Sequence, residues 1–203
     1  TLTELAKVGF SGLSGARGAF SVLPVGIAEA FAVAASPDAA LHAIQQLRER
    51  DAKRVDALLA HPEARVRLLR VLGASEGLVA FFLRHPAALD VLRRPLETLP
   101  DQNAYRASLL GTVAGLSGET AWNALRVGYR SELVRLVAWD LEQPDGAYVV
   151  PLVAAALADL AGAALDASLV AARNTVRFPA AEIAQTQLAI IGMGKAGARE
   201  LNY

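Results

Sequence analysis

The chain has 203 residues, of which 54% are hydrophobic and 20% charged, so it can bury a large core and is not expected to be disordered. Twenty basic and twenty acidic side chains give a net charge of zero, which argues against a nucleic-acid partner because such proteins need a basic face. No cysteines are present, which excludes disulfides and thiolate metal sites and is compatible with a reducing compartment.

Good helix formers dominate the first half of the chain. Residues 37–50 repeat apolar side chains at helical spacing, and Ser36 is a candidate N-cap before Pro37. His-Pro pairs follow at 61–62 and 85–86, each between two apolar segments. Because proline is favoured at the first helical position, we interpret both pairs as helix boundaries rather than metal sites.

A break is predicted at residues 92–102, which contain two prolines and no sustained apolar period. It separates an N-terminal helical region, 1–94, from a second region, 101–178. In the second region a long helix is predicted over 118–142, and the turn at Asp145–Gly146 leads into another long helix. Two long helices joined by a short turn are expected to pack antiparallel.

The second long helix is apolar enough over residues 149–172 to be considered as a membrane span. However, Asp159, Asp166 and Arg173 follow one another at intervals of seven residues, which puts them on one helical face. A charge at the centre of a bilayer costs about 2.5–3.5 kcal/mol even on insertion scales. We therefore expect no membrane partner, but a buried helix with one polar stripe formed by these three residues.

The sequence changes character near its end. "TQLAII" (186–191) is short, apolar and partly β-branched, which predicts a buried strand. "GMGKAG" (192–197) then satisfies G-x-G-x-x-G, the pattern of dinucleotide-binding loops. The helix, second strand and distant acidic residue of such a unit do not follow. The pattern alone therefore leaves open a dinucleotide-binding protein and a purely structural turn.

The longer string "GMGKAGARELNY" (192–203) is more specific. It resembles the start of the nucleotidyltransferase domain in the glutamine synthetase adenylyltransferase/adenylyl-removing family. Segments 71–92, 125–141 and 153–173 resemble the helical lead-in of that family, in the same order. The resemblance implies a mainly α fold: a helical lead-in with a long antiparallel helix pair, then the first strand and glycine loop of a truncated α/β nucleotidyltransferase domain over 186–203.

Members of the family carry two related nucleotidyltransferase domains. One attaches AMP to a tyrosine of glutamine synthetase using ATP, and the other removes it by phosphorolysis, releasing ADP. The ending Glu200–Tyr203 resembles the adenylyl-removing half. The resemblance implies a cytoplasmic, Mg²⁺-dependent enzyme that uses ATP, ADP and phosphate, with glutamine synthetase and a nitrogen-signalling regulatory protein as partners. The face around Arg126 and Arg130 is a candidate contact surface, with a solvated face as the alternative. Taken by itself, the chain also fits a non-catalytic helical interaction module.

The family's catalytic carboxylates, an Asp-x-Asp pair, are expected after Tyr203. The resemblance therefore places no catalytic or metal-binding residue in this chain, and residues 1–203 alone are expected to be inactive. Lys195 is expected either to supply positive charge near a phosphate or to pair with a structural acid. Ala196–Ala198 departs from the Leu-Gly-Gly of many members, although the central glycine is kept. The nucleotide or phosphate loop is assigned to Gly192, Gly194, Lys195 and Gly197, and its support against the following strand to Arg199, Glu200 and Asn202.

Overall fold

The structure is a computed structural model that describes residues 2–20, 23–24, 26–176 and 178–203. These residues form helices and no strand, which confirms the mainly α prediction. The α-helices are α1 (Leu2–Val8), α2 (Leu13–Ala19), α3 (Pro37–Ala60), α4 (Pro62–Ala74), α5 (Glu76–Arg84), α6 (Gln102–Val113), α7 (Gly118–Glu142), α8 (Gly146–Arg173), α9 (Ala180–Gln185) and α10 (Gly194–Ala198). Two 3₁₀ helices span Ile27–Val33 and Pro86–Arg93.

The chain divides into two compact units. Unit 1 comprises residues up to 95 together with 137–142, and unit 2 comprises 96–136 together with 143–203. The domain boundaries predicted from the sequence stay predictions, because compactness alone does not show that a segment folds independently.

Unit 1 is built around α3 and α4, which pack against each other and against both 3₁₀ helices. Ser36 caps α3 as predicted, since its hydroxyl accepts a hydrogen bond from the backbone N–H of Ala39 at 3.2 Å. α3 extends beyond the apolar repeat at 37–50, and Asp51 has non-helical angles (φ −154°, ψ 76°) that kink the helix there. The Asp51 carboxylate accepts the N–H of Arg54 at 3.0 Å, so it caps the second half of the helix.

Both His-Pro pairs are helix boundaries, as interpreted from the sequence. α4 begins at Pro62, and the second 3₁₀ helix begins at Pro86. The described part of the chain contains no group of three or more His, Asp or Glu side chains that could hold a metal ion. The ring of His85 instead packs against Phe81, with 5.3 Å between the ring centroids.

Arg67 is a buried charged residue of unit 1, with 4% of its surface exposed. Its Nε donates to the carbonyl oxygen of Leu92 at 2.8 Å, and its Nη2 donates to that of Arg93 at 3.3 Å. These carbonyls close the second 3₁₀ helix and lack helical donors. The Glu142 carboxylate lies 3.5 Å from Nη1. The buried guanidinium is thereby satisfied and holds the end of that 3₁₀ helix against α4.

Unit 2 contains α8, residues 118–136 of α7 and a third helix, α6. Residues 143–145 join α7 to α8 at one end, and at the other end the N–H of Gly118 donates to Thr175 Oγ1 at 3.2 Å. Because both pairs of ends are adjacent, the two helices run antiparallel. α6 packs along α8 and contacts α7, where Ser108 Oγ donates to Glu132 Oε1 at 2.6 Å. The sequence did not predict this helix as part of the assembly.

By length and composition α8 could cross a membrane, although core helices of soluble proteins pass the same test. Here α8 packs along α6 and buries Val153, Leu157 and Leu160. Its charged positions are engaged within unit 2, as described below.

The predicted strand at 186–191 is not formed. Residues 186–193 have no regular secondary structure and are exposed. Leu188, Ile190 and Ile191 expose 60%, 50% and 83% of their surface. A strand needs a second strand to pair with its backbone groups, and the described residues contain none. Residues 186–191 therefore keep their apolar side chains exposed in this structure.

Candidate functional site

The glycine loop at 192–197 forms a closed turn. A Cβ atom added to Gly197 would lie 2.5 Å from the carbonyl oxygen of Gly192, which is closer than real side chains approach. Gly194, the first residue of α10, has φ +57° in the left-handed region that favours glycine. Two of the three loop glycines are therefore required by the backbone path itself.

A Schellman motif ends α10 directly after the loop. The N–H of Arg199 donates to the carbonyl oxygen of Ala196 at 3.3 Å, and the N–H of Glu200 donates to that of Lys195 at 2.8 Å. Arg199 itself has φ 60° and ψ 40°, a left-handed conformation in which glycine is usual. A strained backbone at a non-glycine residue requires a contact that compensates for the strain.

An ion pair between Arg199 and Asp159 of α8 supplies that contact. Nη1 and Nη2 of Arg199 donate to the two carboxylate oxygens at 2.5 and 2.8 Å. Asp159 exposes 8% of its surface, so its charge is buried but paired. The hydrogen bonds to Asp159 raise the pKa of the Arg199 guanidinium above its usual value. The expected role of Arg199 in supporting the loop against a following strand stays a prediction; in this structure its side chain bonds α8, where a carboxylate with matching two-oxygen geometry lies.

The other members of the polar stripe on α8 are also engaged. Arg173 Nη2 donates to the backbone carbonyl oxygen of Thr186 at 3.1 Å. Thr186 is the first residue of the terminal segment, residues 186–203. Asp166 accepts a hydrogen bond from Nε of Arg106, on α6, at 2.8 Å. The predicted stripe is therefore present: Arg173 and Asp159 bond the terminal segment, and Asp166 bonds α6.

Lys195 and Asn202 contact each other on the exposed side of the loop. Lys195 Nζ donates to Asn202 Oδ1 at 3.0 Å, so in this structure the ammonium bonds an amide rather than a structural acid. The side chain of Glu200 is exposed. Roles for these residues in binding a nucleotide or phosphate stay predictions.

Tyr105 of α6 is a buried polar residue that sequence reasoning missed. It exposes 1% of its surface, and its hydroxyl has no hydrogen-bond partner among the described residues. Burial, and secondarily the nearby charge of Glu132, raise the pKa of this phenol. No sequence pattern marks it, because a tyrosine at helical spacing also fits an ordinary core position.

The described residues do not fit a magnesium site. Magnesium requires clustered oxygen ligands, usually carboxylates, and no such cluster occurs in the described ranges. Asp159, the buried carboxylate that contacts the loop segment, is already bonded on both oxygens to Arg199. The site thus consists of a glycine-rich loop that α8 holds through Arg199. Glycine-rich loops in general let backbone N–H groups approach a phosphate.

Comparison with known proteins places this arrangement in a family. Residues 65–203 match the family described as glutamate-ammonia ligase adenylyltransferase. The chain belongs to this family, which confirms the resemblance found in its glycine loop and helical segments.

Three relatives carry the name bifunctional glutamine synthetase adenylyltransferase/adenylyl-removing enzyme. The protein of Leifsonia xyli subsp. xyli is 48% identical, over 100% of this chain and 22% of its own length. That of Nocardia farcinica is 37% identical, over 85% and 19%. That of Mycobacterium tuberculosis (strain H37Rv) is 39% identical, over 82% and 17%. The chain thus spans about a fifth of the length of these curated relatives. No solved structure matches it significantly.

Proposed function

We propose that the chain is a segment of a bifunctional enzyme that attaches AMP to glutamine synthetase with ATP and removes it by phosphorolysis. Within that enzyme we assign the segment to the adenylyl-removing half. Membership of the family and the names of the relatives support the reaction class. The observation that supports the site is the closed loop, in which the carbonyl of Gly192 leaves no room for a side chain at Gly197.

The loop's contribution to this reaction is to position phosphate groups. Glycines without side chains let a phosphate approach the backbone N–H groups closely. Lys195 is exposed and its ammonium bonds the neutral amide of Asn202, so it can turn to a phosphate oxygen at little cost. In this proposal residues 186–191 form the first strand of a nucleotidyltransferase domain once a neighbouring strand pairs with them.

The carboxylates that hold Mg²⁺ are proposed to follow Tyr203 in the longer enzyme, because the described residues supply no cluster suited to it. When bound, the ion would stabilise charge on the transferring phosphoryl oxygens. We further propose a cytoplasmic enzyme whose activity responds to a nitrogen-signalling regulatory protein.

The test is to supply adenylylated glutamine synthetase, phosphate and magnesium to the longer enzyme that carries this chain and to measure ADP release. Lys195→Ala is expected to lower phosphorolysis by about tenfold or more. Lys53→Ala is the matched control, because Lys53 is an exposed lysine of unit 1 and lies outside the loop. Residues 1–203 alone are expected to release no ADP.

Two results would count against the proposal. Absence of ADP release from the longer enzyme would remove the assigned activity. ADP release by residues 1–203 alone would show that the catalytic carboxylates lie within them.

A non-catalytic interaction module is the second candidate, and several exposed side chains on α7 and α8 favour it. Tyr148, Val150 and Leu152 near the start of α8 expose 74%, 62% and 48% of their surface. Arg126 on α7 is exposed as well, bonded to Glu119 and Asn123 of its own helix. Reversing the charges of Arg126 and Arg130 together would weaken binding of glutamine synthetase if the face around these two residues is a contact surface. Unchanged binding and activity would show a solvated face.

A further inference from the structure

The terminal segment is fixed to α8 at two points. Arg173 bonds the carbonyl of Thr186, and Asp159 bonds Arg199. Fourteen residues separate the two positions on α8, which is about 21 Å of helix axis at 1.5 Å per residue. Because the later residue of α8 contacts the earlier residue of the segment, residues 186–199 run antiparallel to the helix.

Of these two contacts, the ion pair acts directly on the glycine loop. Arg199 lies two residues after Gly197 and forms part of the Schellman motif that closes α10. Its backbone adopts the left-handed conformation although its residue type disfavours it. Glycine would fit the backbone better at this position, so the role of the arginine lies in its side chain. That side chain has a two-point contact with a carboxylate that is itself buried in α8.

We propose that Asp159 is a positioning residue for nucleotidyl transfer, which fixes the orientation of the loop 192–197 through its ion pair with Arg199. This inference rests on the proposed function. In this role Asp159 acts through Arg199 and not on the reacting groups, and it determines the position of the loop on α8. In this way α8 holds the phosphate loop in a fixed orientation.

The experiment compares Asp159→Asn and Arg199→Gly in the longer enzyme. Asparagine keeps the size of the side chain and removes its charge. Glycine at position 199 adopts the left-handed backbone conformation without strain, but it has no side chain to pair with Asp159. Arg199→Gly therefore removes the ion pair while it preserves the turn. Asp166→Asn is the matched control, because Asp166 belongs to the same polar stripe and has its own arginine partner, but it does not bond the terminal segment.

Amide hydrogen exchange over residues 192–200 and the kinetics of phosphorolysis are measured for each variant. Both test variants are expected to exchange these amides about tenfold faster. Both are expected to lower kcat about tenfold while KM for phosphate changes less than about threefold, because a misplaced loop loses orientation rather than binding groups. Asp166→Asn is expected to change neither quantity.

Unchanged exchange in Asp159→Asn and Arg199→Gly overturns the inference whatever the activity. Faster exchange with unchanged kcat also overturns it, since the contact would then be structural only. If Asp159→Asn fails to fold, Arg199→Gly decides by the same criteria, since the Arg199 side chain is 53% exposed. If the unaltered enzyme shows no phosphorolysis, the proposed function fails, and the exchange measurements still decide whether Asp159 fixes the loop.

Discussion

Arg48 and Asp56 form a two-point ion pair across the kink in α3. Nε lies 2.9 Å from Oδ1, and Nη2 lies 3.3 Å from Oδ2. One residue precedes Asp51 and the other follows it, so the pair joins the two helical halves whose continuity the non-helical angles of Asp51 interrupt. The kink is a defined junction with its own cap and its own ion pair.

Replacing Asp51 with alanine is expected to lower the free energy of unfolding by about 1 kcal/mol, because the second half of α3 loses its N-cap. Asp51→Asn keeps an oxygen acceptor and is expected to lose less. Urea unfolding of the two variants measures the difference. Equal losses would mean that the charge of Asp51, rather than its capping, stabilises the junction.

Replacing Tyr105 with phenylalanine is expected to leave stability unchanged or to raise it by up to about 1 kcal/mol. The substitution removes a buried hydroxyl that has no partner among the described residues, and it keeps the ring. Thermal unfolding provides the measurement, with Tyr148→Phe as the control because Tyr148 is 74% exposed. A clear loss of stability in Tyr105→Phe alone would reveal a hydrogen bond to this hydroxyl.

Replacing Gly197 with alanine is expected to open the turn, because the added Cβ would lie 2.5 Å from the carbonyl oxygen of Gly192. Phosphorolysis by the longer enzyme should fall about tenfold or more, while Tm stays nearly unchanged because the loop is exposed. Gly146→Ala is the control, since its added Cβ would meet no atom within 4 Å and Gly146 lies outside the loop. Unchanged activity in Gly197→Ala would contradict the close approach.

Acidification is expected to weaken unit 1 through Asp38. Its carboxylate accepts hydrogen bonds from the N–H and hydroxyl of Ser11 at 2.8 and 2.7 Å and from the N–H of Gly12 at 3.1 Å. The backbone hydrogen bond from Ser11 is the largest of the effects that lower the pKa of Asp38 below its ordinary value of 3.8. A lowered folded-state pKa means that the stabilisation is complete above the unfolded-state pKa and is lost as pH falls through the folded-state pKa.

Asp38→Asn should therefore be less stable than the unaltered chain near neutral pH, and the difference should shrink below about pH 4. Urea unfolding across this range measures it. A difference that stays constant with pH would show that the ionised form of Asp38 is not what Ser11 and Gly12 stabilise.

Local signals in the sequence predicted much of the helical fold. The Ser36–Pro37 start, the boundary at Pro62 and the extent of α7 over 118–142 all agree with the structure. These features depend on caps, prolines and apolar spacing, which act within a few residues along the chain.

Features that depend on distant residues were not predictable in the same way. The spacing of Asp159, Asp166 and Arg173 showed that they share a face, but it could not name Arg199, Arg106 or Thr186 as partners. Those contacts join residues 40, 60 and 13 positions apart. The strand predicted at 186–191 is not formed among the described residues, since strand pairing depends on a neighbouring strand and not on the segment alone. Roles of the loop residues in catalysis stay predictions.

The two contacts of the terminal segment make α8 a spacer of fixed length. One residue inserted between Asp159 and Arg173 would rotate one contact by about 100° relative to the other, so both could not be kept. Seven inserted residues would restore the common face but separate the contacts by about 10 Å more. Insertions and deletions among relatives should therefore be absent between Asp159 and Arg173 and should occur in irregular connections such as residues 94–101.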